Sequence, residues 1–373
     1  MREIADEIAE WLAVGRRVAL ARVVDVEGSG PRGPGAAMAV NDIGEVAGSV
    51  SGGCVEGAVV SEALDILSGD QPSRVVTFGY SDDEAFAVGL TCGGSIRLFI
   101  APLDEFFAPL AHRLRDHQPV ALATVIDGPN AGASMLVIPG EPRQGSLGHP
   151  ELDRVVVRDA LAELEAARSS VRNYGPNGET TPEDLADSVT IRVFVESHAA
   201  PPQMWIFGAV DFTAALARAA KLLGYRVTVC DARGVFATAK RFPEADEVIV
   251  EWPHRYLAGT PVDGRTVICV LTHDPKFDVP LLEAALRTDA AYIGAMGSRR
   301  THDDRLARLR EEGVPEAALA RLASPIGLDI GARTPEETAV SIAAEIISAR
   351  WGGSGRRLTR TDGPIHRDPS PPG

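Results

Sequence analysis

The feature that most constrains this chain is a duplication in its first half. Val18-Ala-Leu-Ala-Arg-Val-Val-Asp25 returns as Val120-Ala-Leu-Ala-Thr-Val-Ile-Asp127, and Gly35-Ala-Ala-Met-Ala-Val40 as Gly132-Ala-Ser-Met-Leu-Val137. Gly48-Ser49 returns as Gly145-Ser146, and Ile96-Arg-Leu-Phe-Ile100 as Ile191-Arg-Val-Phe-Val195. The offsets are 102, 97, 97 and 95 residues, so order and spacing persist together. Each copy reads as strand, loop, strand, turn, Gly-Ser loop, helix and final strand. The strands are short β-branched runs bounded by Gly, Pro and Asn-Asp. The helices, Val55 to Leu67 and Leu152 to Ala167, carry apolar residues at three-to-four spacing. Two related α+β units packed as one pseudo-symmetric body are expected over residues 1–198, with the copies at about 18–105 and 120–197.

Ser197-His-Ala-Ala-Pro-Pro202 reads as a linker, since consecutive prolines continue neither a helix nor a central strand. From Gln203 the pattern changes. Runs at Met204–Phe207, Arg226–Cys230, Glu247–Val250, Val267–Leu271 and Ala291–Ala295 alternate with helical segments, the first from about Phe212 to Leu223. The last helix opens with Thr334-Pro-Glu-Glu337, a capping box with proline at its first position. The expected fold class is α/β: a duplicated α+β N-terminal body, then a Rossmann-like doubly wound parallel sheet over 203–351. Residues 352–373, rich in Gly, Arg, Asp and Pro, read as a disordered tail.

Composition narrows the function classes. A net charge of −15 repels a phosphate backbone and argues against nucleic acid as a partner. No apolar run approaches the roughly 20 residues that span a bilayer, and the first residues form no signal-peptide core. The four cysteines are far apart and form no Cys-x-x-Cys pair, which argues against a disulfide scaffold or zinc ribbon. A cytoplasmic location is expected.

Comparing the two copies singles out two of the cysteines. The first copy has Ser51-Gly-Gly-Cys-Val-Glu56 before its helix and Leu90-Thr-Cys-Gly-Gly94 before its last strand. The second has Gly148-His-Pro-Glu-Leu152 and Leu185-Ala-Asp-Ser188 at those places. The duplicated fold therefore dispenses with Cys54 and Cys92, which favours a functional role for both. Cys54 is expected at a helix start, where free amides and the dipole favour a thiolate. Gly52, Gly53, Gly93 and Gly94 permit close approach of a ligand. Thiolates suit contact with a soft metal or transfer of sulfur. The alternative reading is two small buried side chains. Cys230 and Cys269, inside apolar strands, read as core. A further loop, Glu27-Gly-Ser-Gly-Pro-Arg-Gly-Pro-Gly35, reads either as an anion cradle with Arg32 as its charge or as a plain connection.

In the second half the first strand-to-helix turn is Gly208-Ala-Val-Asp-Phe-Thr213. A dinucleotide fingerprint asks for glycine where Val210 stands and glycine or alanine where Thr213 stands. Asp231 follows at the distance of a ribose contact. The sequence thus keeps the architecture and alters the phosphate loop, which disfavours NAD(P). The ends of the strands also carry His273, a candidate acid or base or else a helix cap, and Ser298, Arg299 and Arg300, a candidate anion site at a helix start or else solvated charges.

Taken together, these residues resemble the XdhC/CoxI family of xanthine dehydrogenase accessory proteins. The resemblance rests on Gly48-Ser-Val-Ser-Gly-Gly-Cys-Val-Glu56, Thr91-Cys-Gly-Gly94, Leu271-Thr-His-Asp274, Tyr292-Ile-Gly-Ala-Met-Gly-Ser-Arg-Arg-Thr301 and Pro325-Ile-Gly-Leu-Asp-Ile-Gly-Ala332, together with Thr334-Pro-Glu-Glu337 and Ser341-Ile-Ala-Ala-Glu345. It departs at Val210, where the family usually has a second glycine. The resemblance implies a factor that binds molybdenum cofactor, helps install its terminal sulfur and hands it to an apo molybdenum hydroxylase. A cysteine desulfurase or other sulfurtransferase would be a second partner, and a homodimer is left open. Cys54 and Cys92 would touch molybdenum or the incoming sulfur. The glycine pairs, Arg32, Gly208, Asp231, His273, Ser298, Arg299 and Arg300 would hold the cofactor. An accessory role is favoured over a turnover enzyme. The rival readings are an NAD(P)-dependent oxidoreductase and a scaffold that recruits a sulfurtransferase without holding cofactor.

Overall fold

The computed structural model describes residues 1–28, 32–69, 73–79, 94–180, 189–362 and 365. It divides into two compact units, Met1–Ala200 and Pro201–Gly373. The first carries the duplication as two antiparallel sheets. Strands β1 (Val18–Glu27), β2 (Ala37–Asn41), β3 (Val46–Gly48), β4 (Arg74–Phe78) and β5 (Ser95–Pro102) are ordered β3-β2-β1-β5-β4. Strands β6 (Val120–Asp127), β7 (Ser134–Val137), β8 (Gln144–Gly145), β9 (Ser170–Tyr174) and β10 (Ile191–His198) are ordered β8-β7-β6-β10-β9. The two orders correspond strand for strand. Helix α1 (Ala5–Ala13) precedes the first sheet, α2 (Glu56–Ser68) crosses it, α3 (Phe107–Arg115) links the copies and α4 (Pro150–Ala166) crosses the second sheet. Val59, Ala63, Ile66 and Leu67 of α2 pack on Ala19, Ala21, Val23, Leu98 and Ile100. Each larger aliphatic buried there contributes about 1.5–3 kcal/mol. Gly69, at φ +86, stops α2 with the left-handed residue a helix end favours.

The match extends to atoms. The Gly35 N–H donates to Val23 O over 2.9 Å, and the Gly132 N–H to Val125 O over 2.8 Å. A Cβ on Gly35 would meet Ser169 Oγ at 3.1 Å, and one on Gly132 would meet Ser73 Oγ at 3.1 Å. Val24 and Phe99 form one cluster with their counterparts Ile126 and Phe194. This cluster is the seam along which the copies meet. The symmetry breaks beside it: buried Arg22 donates to Glu196 over 2.7 Å and to Thr124, its own counterpart, over 3.2 Å. The structure adds what the sequence reading omits, the edge strands β4 and β9 and the short strands β3 and β8.

In the second unit the sheet is parallel. Strands β11 (Gln203–Phe207), β12 (Arg226–Cys230), β13 (Glu247–Ile249), β14 (Val267–Val270), β15 (Tyr292–Ala295) and β16 (Leu322–Ala323) are ordered β13-β12-β11-β14-β15-β16. The order reverses between β11 and β14, the switch point where such sheets open a crevice at their carboxyl ends. Helices α5 (Asp211–Leu222) and α10 (Pro335–Trp351) supply one face. Helices α6 (Pro253–Ala258), α7 (Pro275–Ala285), α8 (Arg299–Glu311) and α9 (Glu316–Leu319) supply the other. The capping box at Thr334 and Glu337 is present, with Pro335 in the first turn. Beyond α10 a short 3-10 turn covers Leu358–Arg360, and residues 363–364 and 366–373 lie outside the described residues.

Candidate functional site

The Cys54 loop is built around a carboxylate that sequence reading overlooked. Glu56 opens α2 and turns back into the loop before it. It accepts from Ser49 Oγ at 2.6 Å, Ser51 Oγ at 2.5 Å and the N–H groups of Ser51 and Gly53, both at 2.9 Å. The Val50 and Val55 amides add longer bonds of 3.3 and 3.2 Å. Ser51 Oγ accepts from the Cys54 and Val55 amides, and Ser49 Oγ from the Gly52 amide. Burial alone would raise the Glu56 carboxyl. The two serine hydroxyls and the loop amides more than offset it and pull it down to about 2.

This corrects the expectation of free amides beside Cys54, because every N–H from Val50 to Val55 is engaged inside the loop. Gly52 and Gly53 therefore offer room rather than donors. At φ +76 and +114 they take left-handed backbone, and a Cβ on either would meet nothing within 4 Å. Cys54 is half-buried behind them, packed against the α2 core.

The second copy keeps the device in reduced form. Asp153 accepts from Ser146 Oγ at 2.8 Å and the Leu147 N–H at 2.7 Å, and pairs with Arg143 at 2.9 Å. A carboxylate retained at the same offset of 97 residues was the signal for Glu56. Cys92 and Gly93 lie outside the described residues, and Gly94 immediately precedes β5. Arg32 sits 3.8 Å from Glu3 in an exposed pair.

The remaining candidates lie in the second unit, along the carboxyl edge of its sheet. Gly208, at φ +115, is obligatory: a Cβ there would lie 2.9 Å from Thr272 Cγ2 and 3.0 Å from its amide. Thr213 fills the third fingerprint position with a buried side chain whose hydroxyl donates to Gly208 O. Asp231 accepts from the Ala209 amide at 2.7 Å and forms a two-pronged pair with Arg233. Burial pushes its carboxyl up, and Arg233 and the Ala209 amide more than compensate and hold it below the ordinary range. Its lone pairs tie the turn to the next loop, a use that competes with a ribose contact.

His273 is exposed, and the helix cap is its neighbour Asp274, which accepts from the Lys276 amide. Ser298 caps α8 through the Thr301 amide at 3.1 Å, with Arg299 and Arg300 exposed beside it. Beneath them buried Arg305 spans Asp278 at 3.0 Å, Met296 O at 2.9 Å and Ser324 at 3.0 Å, and Thr272 also donates to Asp278. This bridge fixes the loops after β14 and β15. Cys230 and Cys269 are buried in their strands, and burial pushes both thiols up, Cys230 to about 12. Among the described residues no group of three or more His, Cys, Asp or Glu side chains gathers in a metal-binding arrangement.

A family model for the XdhC Rossmann domain matches residues 204–346, and one for the XdhC and CoxI family matches residues 11–79 and 113–175. The chain belongs to the XdhC and CoxI family. Among its relatives in the family is a Bacillus subtilis protein named as a probable xanthine dehydrogenase subunit, 28% identical over 89% of this chain and 92% of that one. Another is the molybdenum cofactor insertion chaperone PaoD of Escherichia coli, 28% identical over 94% of this chain and 88% of that one. In fold, the chain matches a crystal structure of a xanthine dehydrogenase from Bacillus halodurans with a TM-score of 0.68 at 24% identity, covering 96% and 97% of the two chains. No helix among the described residues is long and apolar enough to cross a membrane.

Proposed function

We propose that this chain is a molybdenum cofactor maturation factor. It binds the cofactor, presents it for sulfuration and passes it to an apo molybdenum hydroxylase of the xanthine or carbon monoxide dehydrogenase type. The observation that carries the reading is the Cys54 loop. Its amides are satisfied by Glu56, Ser49 and Ser51, and beside the half-buried Cys54 it carries two glycines with open space where a side chain would stand. A full-length relative named as a molybdenum cofactor insertion chaperone supports it. In this reading Cys54 and Cys92 contact molybdenum or carry sulfur toward it. Gly52, Gly53, Gly93 and Gly94 admit the cofactor to that loop region of the first unit.

The purified chain, produced in cells that make the cofactor, is expected to retain pterin that is released and detected by fluorescence after oxidation. The Cys54→Ala, Cys92→Ala double variant is expected to lose it and to stop maturing its client. Normal cofactor retention with full client maturation in that variant would overturn the cysteine role. Recovery of a sulfurtransferase by wild-type chain that never carries pterin would replace the reading with the scaffold alternative.

A further inference from the structure

Helix α10 is apolar on two faces, and the described residues of the chain cover one of them. Ala339, Ile342 and Ile346 are buried in the core that α5 and the sheet complete. On the other side stand Val340, Ala344, Ile347 and Trp351. Val340 is 58%, Ile347 43% and Trp351 44% exposed, and Ala344 is half-buried. Their spacing of four, three and four residues puts them on one stripe of the helix, about 17 Å long. The neighbouring helix α5 is built differently: apart from Leu222 at its end, its exposed residues are Asp211, Arg218 and Lys221. Single exposed apolar side chains are normal on any surface. A helix that is apolar all round is one that is buried on both sides.

The stripe is complementary to itself. Antiparallel two-fold packing centred between Ala344 and Ile347 sets Ala344 opposite Ile347 of the second copy, and Val340 opposite Trp351 of the second copy. Each layer then pairs a smaller side chain with a larger one, as interdigitating helices require. Parallel packing would set Trp351 on Trp351 and Ala344 on Ala344, with one layer overfilled and the other empty. Charge selects the same direction. The end of α10 and the turn after it carry Arg350, Arg356, Arg357 and Arg360 against Asp362. Its start carries the exposed carboxylates Glu336, 3.2 Å from Arg218, and Glu337, which accepts from the Arg333 and Thr334 amides. Parallel packing would bring the basic ends together, whereas antiparallel packing turns each toward Glu336 and Glu337 of the second copy.

We infer that the outer face of α10 is the two-fold interface of a homodimer, in which the helix packs antiparallel on the same helix of a second copy. The face shares no residue with the cysteine loops, so it stands or falls independently of their role. One pair of helices lies at the low end of specific interface sizes, so a dissociation constant of about 1–100 μM is expected.

The test is sedimentation equilibrium of the full chain from about 1 to 500 μM, which brackets that range. The wild type is expected to pass from monomer to dimer. Ile347→Glu is expected to weaken the dimer at least about thirtyfold, and Val340→Glu serves as a second disruption of the same stripe. Ala344→Ile overfills the layer that Ile347 completes and is expected to weaken it about tenfold. The Ala344→Ile, Ile347→Ala double variant exchanges small and large across that layer and is expected to return within about threefold of the wild type. Thermal melting of each variant at monomer concentration verifies that the fold is kept. The inference is overturned if the wild type stays monomeric throughout, or if its dimer is indifferent to both glutamate variants. A double variant no tighter than Ala344→Ile alone would equally overturn it. A monomeric wild type that loses a client protein on Ile347→Glu would give the face to that client instead.

Discussion

Glu56 shows how a single residue turns a flexible stretch into a defined one. Ser51-Gly-Gly-Cys54 has two consecutive glycines, and left-handed backbone at both would be one conformer among many without a central acceptor. Replacing Glu56 with Ala removes several charge-assisted bonds and is expected to cost about 2–4 kcal/mol. Glu56→Gln keeps one acceptor oxygen and is expected to lie between. Amide hydrogen exchange at Gly52 to Val55 is the sensitive readout. Protection there should fall at least about tenfold in Glu56→Ala, and unchanged protection would mean that the loop is held by something else. The carboxyl is depressed from its ordinary value to about 2, so its stabilisation is present in full above about pH 4.5. It is lost as the pH falls toward 2, and loop protection in the wild type should follow that course. Cys54 was legible from sequence because the sister copy lacks it. Glu56 is marked only by the matching carboxylate Asp153 of the sister copy, and taken by itself a carboxylate at the start of an apolar helix looks like an ordinary first-turn acid. Its function lies in bonds to backbone that turns back on it, and only folding brings those together.

Elements tell the same story at the next scale. The helices of both copies begin and end within two residues of where apolar spacing puts them, since burial of one face fixes their extent. The edge strands β4 and β9 were missed for a physical reason. Each pairs with one neighbour, and Ser170-Val-Arg-Asn-Tyr174 carries the polar residues that an edge tolerates. The turn that leads from the sheet into the Gly-Ser loop of each copy is better specified. Gly48 has φ +80 and Gly145 φ +87, and a Cβ on either would lie 2.5 Å from a carbonyl, that of Ala37 or of Ser134. Gly48→Ala and Gly145→Ala are therefore each expected to destabilise by about 2–4 kcal/mol in chemical denaturation. Gly52→Ala, with left-handed backbone and open space, should cost only about 1–2 kcal/mol. If Gly48→Ala proved no worse than Gly52→Ala, the close approach to Ala37 would not be a constraint of the fold.

At the scale of the molecule, the two copies meet as unlike partners, and a buried ion pair makes them so. Arg22 has Thr124 as its counterpart, and Glu196 has Ala101, so the Arg22–Glu196 contact occurs on one side of the pseudo-dyad only. Both side chains are at least 96% buried, which makes the pair costly to break and cheap to replace whole. Arg22→Met or Glu196→Met alone strands a charge in the seam and is expected to lose about 3–5 kcal/mol, while the double variant should return to near wild-type stability. A double variant as unstable as the sum of the singles would show that packing, not charge, governs the seam. His198, two residues along β10, puts a buried Nε2 3.7 Å from the second Glu196 oxygen. Burial lowers its pKa from 6.5 to about 4, against the pull of Glu196 and with the push of the Met1 amino group, Arg2 and Arg22. A folded state that takes up the proton less readily than the unfolded chain is fully stable above pH 6.5. It weakens as the pH falls toward 4, by up to about 1.4 kcal/mol per unit. Denaturation midpoints measured at pH 7 and pH 4.5 should therefore diverge in the wild type and draw together in His198→Gln. If the variant kept the wild-type pH slope, the acid sensitivity would belong to other groups.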